Sequence, residues 1–337
     1  MPKNQWCPDF LSQYRTEIMG FAILWIVLFH SAIPAPENTV LRLIWYCAIN
    51  FGGGLGVNLF MILSGFGLLY SHSKRSCCAD IHAVKTYFSR RLKRILIPYL
   101  LVASIFFAIR CICNKTGILG FAEDVTLLSF LTKGDRTYWY IFAILLLYCL
   151  YPLYMYMAER FGHGLTFIAV IAANILFEII AHTFFPVFYD RFEIIILRNP
   201  LFFIGSYLGW IIKEKPSKAK PVLIGITLVA AVCFCAYGFL FLKGATTLRL
   251  ERYLFIPVSL GIVAVLPLVF NKTLFFNKFL QFCGRNSLGI YLIHIPLYHF
   301  AQILSGGNWN PYAVCIGVAV LSMLGAEGIS RLTVQKR

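Results

Sequence analysis

The chain has 337 residues, 59% of them hydrophobic and only 13% charged, and a formal net charge of +16; its mean hydropathy is +0.75. A soluble fold cannot bury that much apolar surface, so lipid is the solvent expected for most of the chain. The positive excess sits in short segments between apolar runs, where basic residues set membrane orientation, and this argues against a nucleic-acid partner.

A span needs about 20 apolar residues to cross a hydrocarbon core about 30 Å thick. Segments of that kind fall at residues 17–34, 52–71, 95–112, 138–157, 164–181, 200–212, 221–242, 253–270, 287–304 and 311–330. The prediction is an all-α polytopic bundle of about ten helices. The first segment does not read as a cleavable signal, because Arg15 and Glu17 precede a long span and no small-residue cleavage site follows. No Pro/Gly/Ser-rich linker interrupts the chain, so residues 1–337 are expected to form one membrane domain.

His30 follows Ile18 by about 18 Å of helical rise, near the far end of the first segment. Ionisable groups inside membranes are costly and mark function, so a general base aligned by Glu37 or by a carboxylate from another helix is one reading. A packing histidine bonded to a backbone carbonyl is the other. The second segment carries six glycines between Gly52 and Gly67, with Asn58 and Ser64. Glycines there permit close helix contact or an irregular backbone beside a ligand.

Residues 74–94 hold Lys74, Arg75, Lys85, Arg90, Arg91, Lys93 and Arg94 against Asp80 alone, which assigns that loop to the cytoplasm. Counting from it puts Lys213/Lys215/Lys218/Lys220, then Lys272/Lys278/Arg285, then Arg331/Lys336/Arg337 on the same side. Both termini are therefore expected in the cytoplasm. Arg91 and Arg94 share a helix face, and a guanidinium pair at that mouth suits the phosphates of an anionic ligand. Lipid headgroups would satisfy the same pair.

Trp139 opens the fourth segment on the external side, as an aromatic-belt residue or a platform for a sugar. Glu178, near the outer end of the fifth, has the depth to meet His30. Glu327 lies near the inner end of the tenth. The sixth segment is short, so it starts earlier, tilts, or is a broken helix. In the ninth, Ser287, Tyr291, His294 and Tyr298 form one polar stripe, which belongs inside the bundle, either as interhelical hydrogen bonding or against a cavity. Eleven cysteines show no C-x-x-C or zinc-ligand spacing. Cys149, Cys233, Cys235 and Cys315 read as small hydrophobes, and neither Cys77-Cys78 nor Cys111/Cys113 suggests a disulfide framework. No metal is expected, and no inverted repeat of the transporter kind is evident.

Five separated blocks resemble the acyltransferase 3 family of integral membrane O-acyltransferases. They are Tyr14-Arg15-Thr16-Glu17-Ile18 through His30; Gly54-Leu55-Gly56-Val57-Asn58-Leu59-Phe60 with Leu63-Ser64-Gly65-Phe66; Arg90-Arg91-Leu92-Lys93-Arg94-Ile95 with Pro98-Tyr99; Trp139 with Tyr148 and Pro152; and Ser287-Leu288-Gly289-Ile290-Tyr291-Leu292-Ile293-His294. The blocks occur in family order and reach across nearly the whole chain.

The resemblance implies transfer of an acyl group, most often acetyl, from acetyl-CoA or another short-chain acyl-CoA to a hydroxyl of a surface polysaccharide, lipid-linked saccharide or cell-wall glycan. It implies the bacterial cytoplasmic (inner) membrane, with glycan-biosynthesis or export proteins as partners. His30 matches the family's catalytic histidine, and Arg91 with Arg94 matches the arginines associated with CoA. Asn58, Ser64, Trp139, Ser287, Tyr291 and His294 match blocks of substrate or structural residues. Many members carry a basic residue eleven positions before the histidine; here that position is Met19, and Arg15 stands one turn earlier. The rival reading is a transporter or flippase for a glycan or anionic metabolite, with His30 coupling protons and the arginines as a gate.

Overall fold

A computed structural model describes residues 10–31, 33–72, 80–271 and 274–334. The basic residues Lys74, Arg75, Lys272, Lys336 and Arg337, and the pair Cys77-Cys78, lie outside the described residues. Every regular element among the described residues is a helix. Its main helices are α1 (Arg15–Phe29), α2 (Val57–His72), α3 (Ile81–Asn114), α4 (Trp139–Phe161), α5 (His163–Phe184) and α6 (Pro186–Ile196). They continue with α7 (Asn199–Glu214), α8 (Pro216–Leu242), α9 (Leu248–Phe270), α10 (Leu274–Arg285), α11 (Ser287–Ser305) and α12 (Pro311–Val334).

Among the described residues, nine helical stretches are long and apolar enough to cross a membrane. The first predicted segment is α1, which has 15 residues and ends at Phe29 rather than at residue 34. Pro34 and Pro36 account for the early stop, because a proline and the residue before it do not continue a helix. The third segment starts earlier than predicted. Asp80 caps α3 by accepting from the Ala83 amide at 2.6 Å, so the basic run and the apolar run form one continuous helix. The short sixth segment is the second half of a broken helix, α6 and α7, interrupted at Leu197 and Arg198 ahead of Asn199-Pro200.

Helix α2 sits at the centre, with almost every residue from Val57 to Leu69 buried. It crosses α7 where Gly65 faces the Phe202 carbonyl and Gly205 faces the Ile62 carbonyl; a Cβ at either position would collide with backbone. Helix α1 crosses α10 in the same way, through Gly20 against Leu280 and Gly284 against Thr16. These contacts let backbones approach where lipid supplies no hydrophobic drive. At the periphery, α5, α8 and α12 expose Ile168, Leu176, Leu228, Val232, Ile316 and Leu324. Apolar side chains facing outward from helices with internally satisfied backbones suit a lipid surround. The eight described cysteines, Cys149, Cys233, Cys235 and Cys315 among them, are free.

Candidate functional site

Two cavities enter the bundle from opposite ends of α1. The first, about 620 Å³, is lined by Arg15, Met19 and Ser64, by Arg91, Lys93 and Arg94 of α3, by Tyr140 and Tyr148 of α4, and by Arg285, Ser287 and Tyr291. Among the described residues, five cations line it and no carboxylate does. Asn286, Ser287, Leu288 and Gly289 at the start of α11 also line it, and the positive end of that helix adds to the field. This cavity suits a multiply anionic ligand.

Arg15 reaches the cavity although it lies a turn before the position at which the family resemblance expects a basic residue. Its Nε donates to the Leu63 carbonyl at 3.0 Å. Its guanidinium lies on Gly67, where an added Cβ would come within 2.7–2.9 Å of three guanidinium atoms. Glycine at 67 thus makes room for Arg15, while Met19 contributes apolar wall to the same cavity.

The second cavity, about 490 Å³, contains His30. Asn58, Trp139, Gly53 and Gly54 line it together with Arg136, Arg198, Glu251, Arg252 and Tyr291. The chain leading into α2 adopts two π-helical turns, Tyr46–Asn50 and then the glycine run Gly52–Gly56, a geometry frequent at functional sites. They pack on the last turns of α1: the Trp25 Nε1 donates to the Ala48 carbonyl at 2.8 Å, and Gly53 lies against the Phe29 ring. Both uses anticipated for these glycines, close contact and irregular backbone, occur together. Asn58 donates to Ser259 Oγ at 2.9 Å, and its Oδ1 is buried without a partner.

The polar stripe of α11 faces α1. Tyr298 donates to the Val27 carbonyl at 3.0 Å, and the His294 ring lies edge-on to His30 with centroids 5.1 Å apart. His294 Nδ1 is 3.1 Å from the Ile290 carbonyl. A carbonyl only accepts, so Nδ1 carries a proton, which in an uncharged ring leaves the lone pair at Nε2. That Nε2 and the His30 Nδ1 are both buried without hydrogen-bond partners. So is the hydroxyl of Tyr291. Tyr291, Ile26 and Val57 line both cavities and form the wall between them.

The structure does not bring Glu37 or Glu178 to His30. Glu37 is exposed in the segment after α1, where its backbone carbonyl accepts from Arg42 at 3.1 Å. Glu178 lies buried on the peripheral helix α5, and there Arg249 at 2.6 Å and the Tyr189 hydroxyl at 3.1 Å hold its Oε1. Neither lines the His30 cavity. Glu327 bonds Arg331 and Asn286, each at 3.0 Å. Among the described residues no group of three His, Cys, Asp or Glu side chains clusters as a metal site.

The sequence reading overlooked Arg136, Arg198 and Arg252, which line the His30 cavity. Two signals were present: Arg198 interrupts an apolar run one residue before Asn199-Pro200, and Arg252 stands early in α9, directly before the eighth apolar segment. Just before α4, Asp135 anchors the turn that carries Arg136 and Trp139. It accepts from the Thr137 amide at 2.9 Å, the Thr137 hydroxyl at 2.6 Å and Arg110 at 2.7 Å. Burial pushes its carboxyl up, but these bonds outweigh burial and hold it below the ordinary aspartate value.

A family model described as an acyltransferase domain, that of the acyltransferase 3 family, matches residues 20–326. Neither the curated proteins nor the solved structures gave a match.

Proposed function

This chain belongs to the acyltransferase 3 family, and we propose that it moves a short acyl group, acetyl by family expectation, from acyl-CoA to a hydroxyl of a surface glycan or lipid-linked saccharide. The observation that carries this reading is the pair of cavities back to back: five cations line one, His30 lies in the other, and Tyr291 stands in the wall between them. The positive-inside pattern supports a cytoplasmic arginine end and an external His30 end, with both termini in the cytoplasm of a bacterial inner-membrane protein. Acyl-CoA docks its phosphates on Arg15, Arg91 and Arg94 and extends its thioester toward the shared wall. The acceptor enters beside His30 and Trp139.

In the reaction the acceptor oxygen attacks the thioester carbon while His30 takes the hydroxyl proton; the C–S bond breaks and the proton passes to the departing thiolate. Tyr291 is the best-placed donor to the developing oxyanion, because its buried hydroxyl has no other partner. His294, fixed through Nδ1 at the Ile290 carbonyl and edge-on to the His30 ring, orients His30. Ser64 lines the arginine cavity and serves donor binding.

The test is transfer of labelled acetyl from acetyl-CoA to the glycan and lipid-linked saccharide pool by purified, reconstituted protein. Transfer lost in folded H30A supports the proposal. No transfer from a folded preparation, across a panel of acyl-CoAs and acceptors, would favour the transport reading.

A further inference from the structure

Arg198 stands at the break between α6 and α7, is 7% exposed, and lines the His30 cavity. Its Nη1 donates to the Ile194 carbonyl at 3.2 Å, and its guanidinium carbon lies 5.4 Å from the centre of the Trp139 ring. Its Nε is buried without a partner. Among the described residues no carboxylate pairs with it.

The carboxylates around it are engaged elsewhere. Glu193 bridges Arg136, through Oε1 at 3.4 Å, and Arg252, through Oε2. Glu251 accepts from the Tyr237 hydroxyl at 3.0 Å. Arg136, Arg198 and Arg252 therefore face Glu193 and Glu251, which leaves one positive charge in excess, and the guanidinium without a carboxylate is the most buried of the three. A buried cation with an empty donor is strongly unfavourable unless a ligand completes it. The ring face of Trp139 and one carbonyl compensate only part of that.

We infer that the cavity beside His30 takes an acceptor bearing an anionic oxygen group, a carboxylate or a phosphate, which docks on Arg198 while a neighbouring hydroxyl meets His30. A planar guanidinium with an unused Nε–H matches two oxygens of either group. Trp139 would then hold Arg198 in place and give the saccharide ring a surface. The inference rests on the acyl-transfer reading given above and narrows its acceptor class.

The experiment uses the full-length reconstituted protein, labelled acetyl-CoA, and the glycan and lipid-linked saccharide pool of the cells it comes from. Labelled product is separated by anion exchange. The expected product is retained. Loss of retention after carboxyl reduction identifies a uronic-type acid, and loss after mild acid release of phosphate identifies a phosphate or pyrophosphate link.

With the isolated acceptor fraction, R198Q is expected to raise the acceptor KM about tenfold to a hundredfold, with the acetyl-CoA KM unchanged. R198K, which keeps charge and loses the fork, should fall between. Label in a neutral acceptor, or an unchanged acceptor KM in folded R198Q, overturns the inference and leaves acyl transfer standing. Absence of label in every fraction refutes the transfer reading itself. Should R198Q fail to fold, product charge from the wild type and the KM of R198K still decide.

Discussion

Replacing Arg15 with Met tests whether this chain has moved the basic residue of its first helix by one turn. Arg15 is fixed by the 3.0 Å bond to the Leu63 carbonyl and by the bare surface of Gly67, and it lines the arginine cavity. A hydrogen bond to a charged group contributes about 1.5–3 kcal/mol. R15M should therefore raise the acetyl-CoA KM by about 10- to 150-fold. Its kcat should change little, since the contact is made equally in the ground and transition states. Met19 lies one turn, or about 6 Å, further along the same face and lines the same cavity. An arginine from residue 19 can fill the space that Arg15 leaves, so R15M/M19R should recover most of the lost affinity. Initial rates of labelled acetyl transfer against acetyl-CoA concentration, at saturating acceptor, read both effects. An R15M KM within about twofold of wild type would refute a donor-binding role for Arg15.

Y291F should lower kcat by about 10²–10³ with both KM values nearly unchanged, the loss expected for one oxyanion donor; steady-state kinetics of the folded variant check this. H294A should lower kcat by roughly 10²-fold through misplacement of His30 and should also shift the pH–rate profile, which a purely packing role would leave in place. G205A introduces a Cβ against the Ile62 carbonyl and should destabilise by about 1–3 kcal/mol, whereas G225A, whose Cβ meets nothing within 4 Å, should not. Thermal unfolding in detergent compares the two.

The long apolar helices were legible from segment length and hydropathy alone, because lipid imposes both. Counting spans and basic loops puts Arg91 and Arg94 at one end and His30 and Trp139 at the other; Arg15 was pointed to by the family resemblance, and that each set lines a shared cavity needed the structure. The α11 stripe was legible because its period fixes one face, and that face meets α1. What a periodicity cannot reveal is which distant helix a side chain finds. Glu178 has suitable depth for His30, yet α5 lies at the periphery and its carboxylate closes on Arg249. Arg198 escaped notice because a single arginine in a helix break looks like a span boundary until the turn buries it.

The central claim is that donor and acceptor meet at His30 from opposite ends of the bundle. Proteoliposomes of uniform orientation, with labelled acetyl-CoA on the arginine side alone and the isolated acceptor fraction on the His30 side alone, test it most directly. The account predicts label on the acceptor across the sealed bilayer, abolished in folded H30A and absent when the two substrates exchange sides. Transfer that requires both substrates in one compartment, or that survives in H30A, would contradict it.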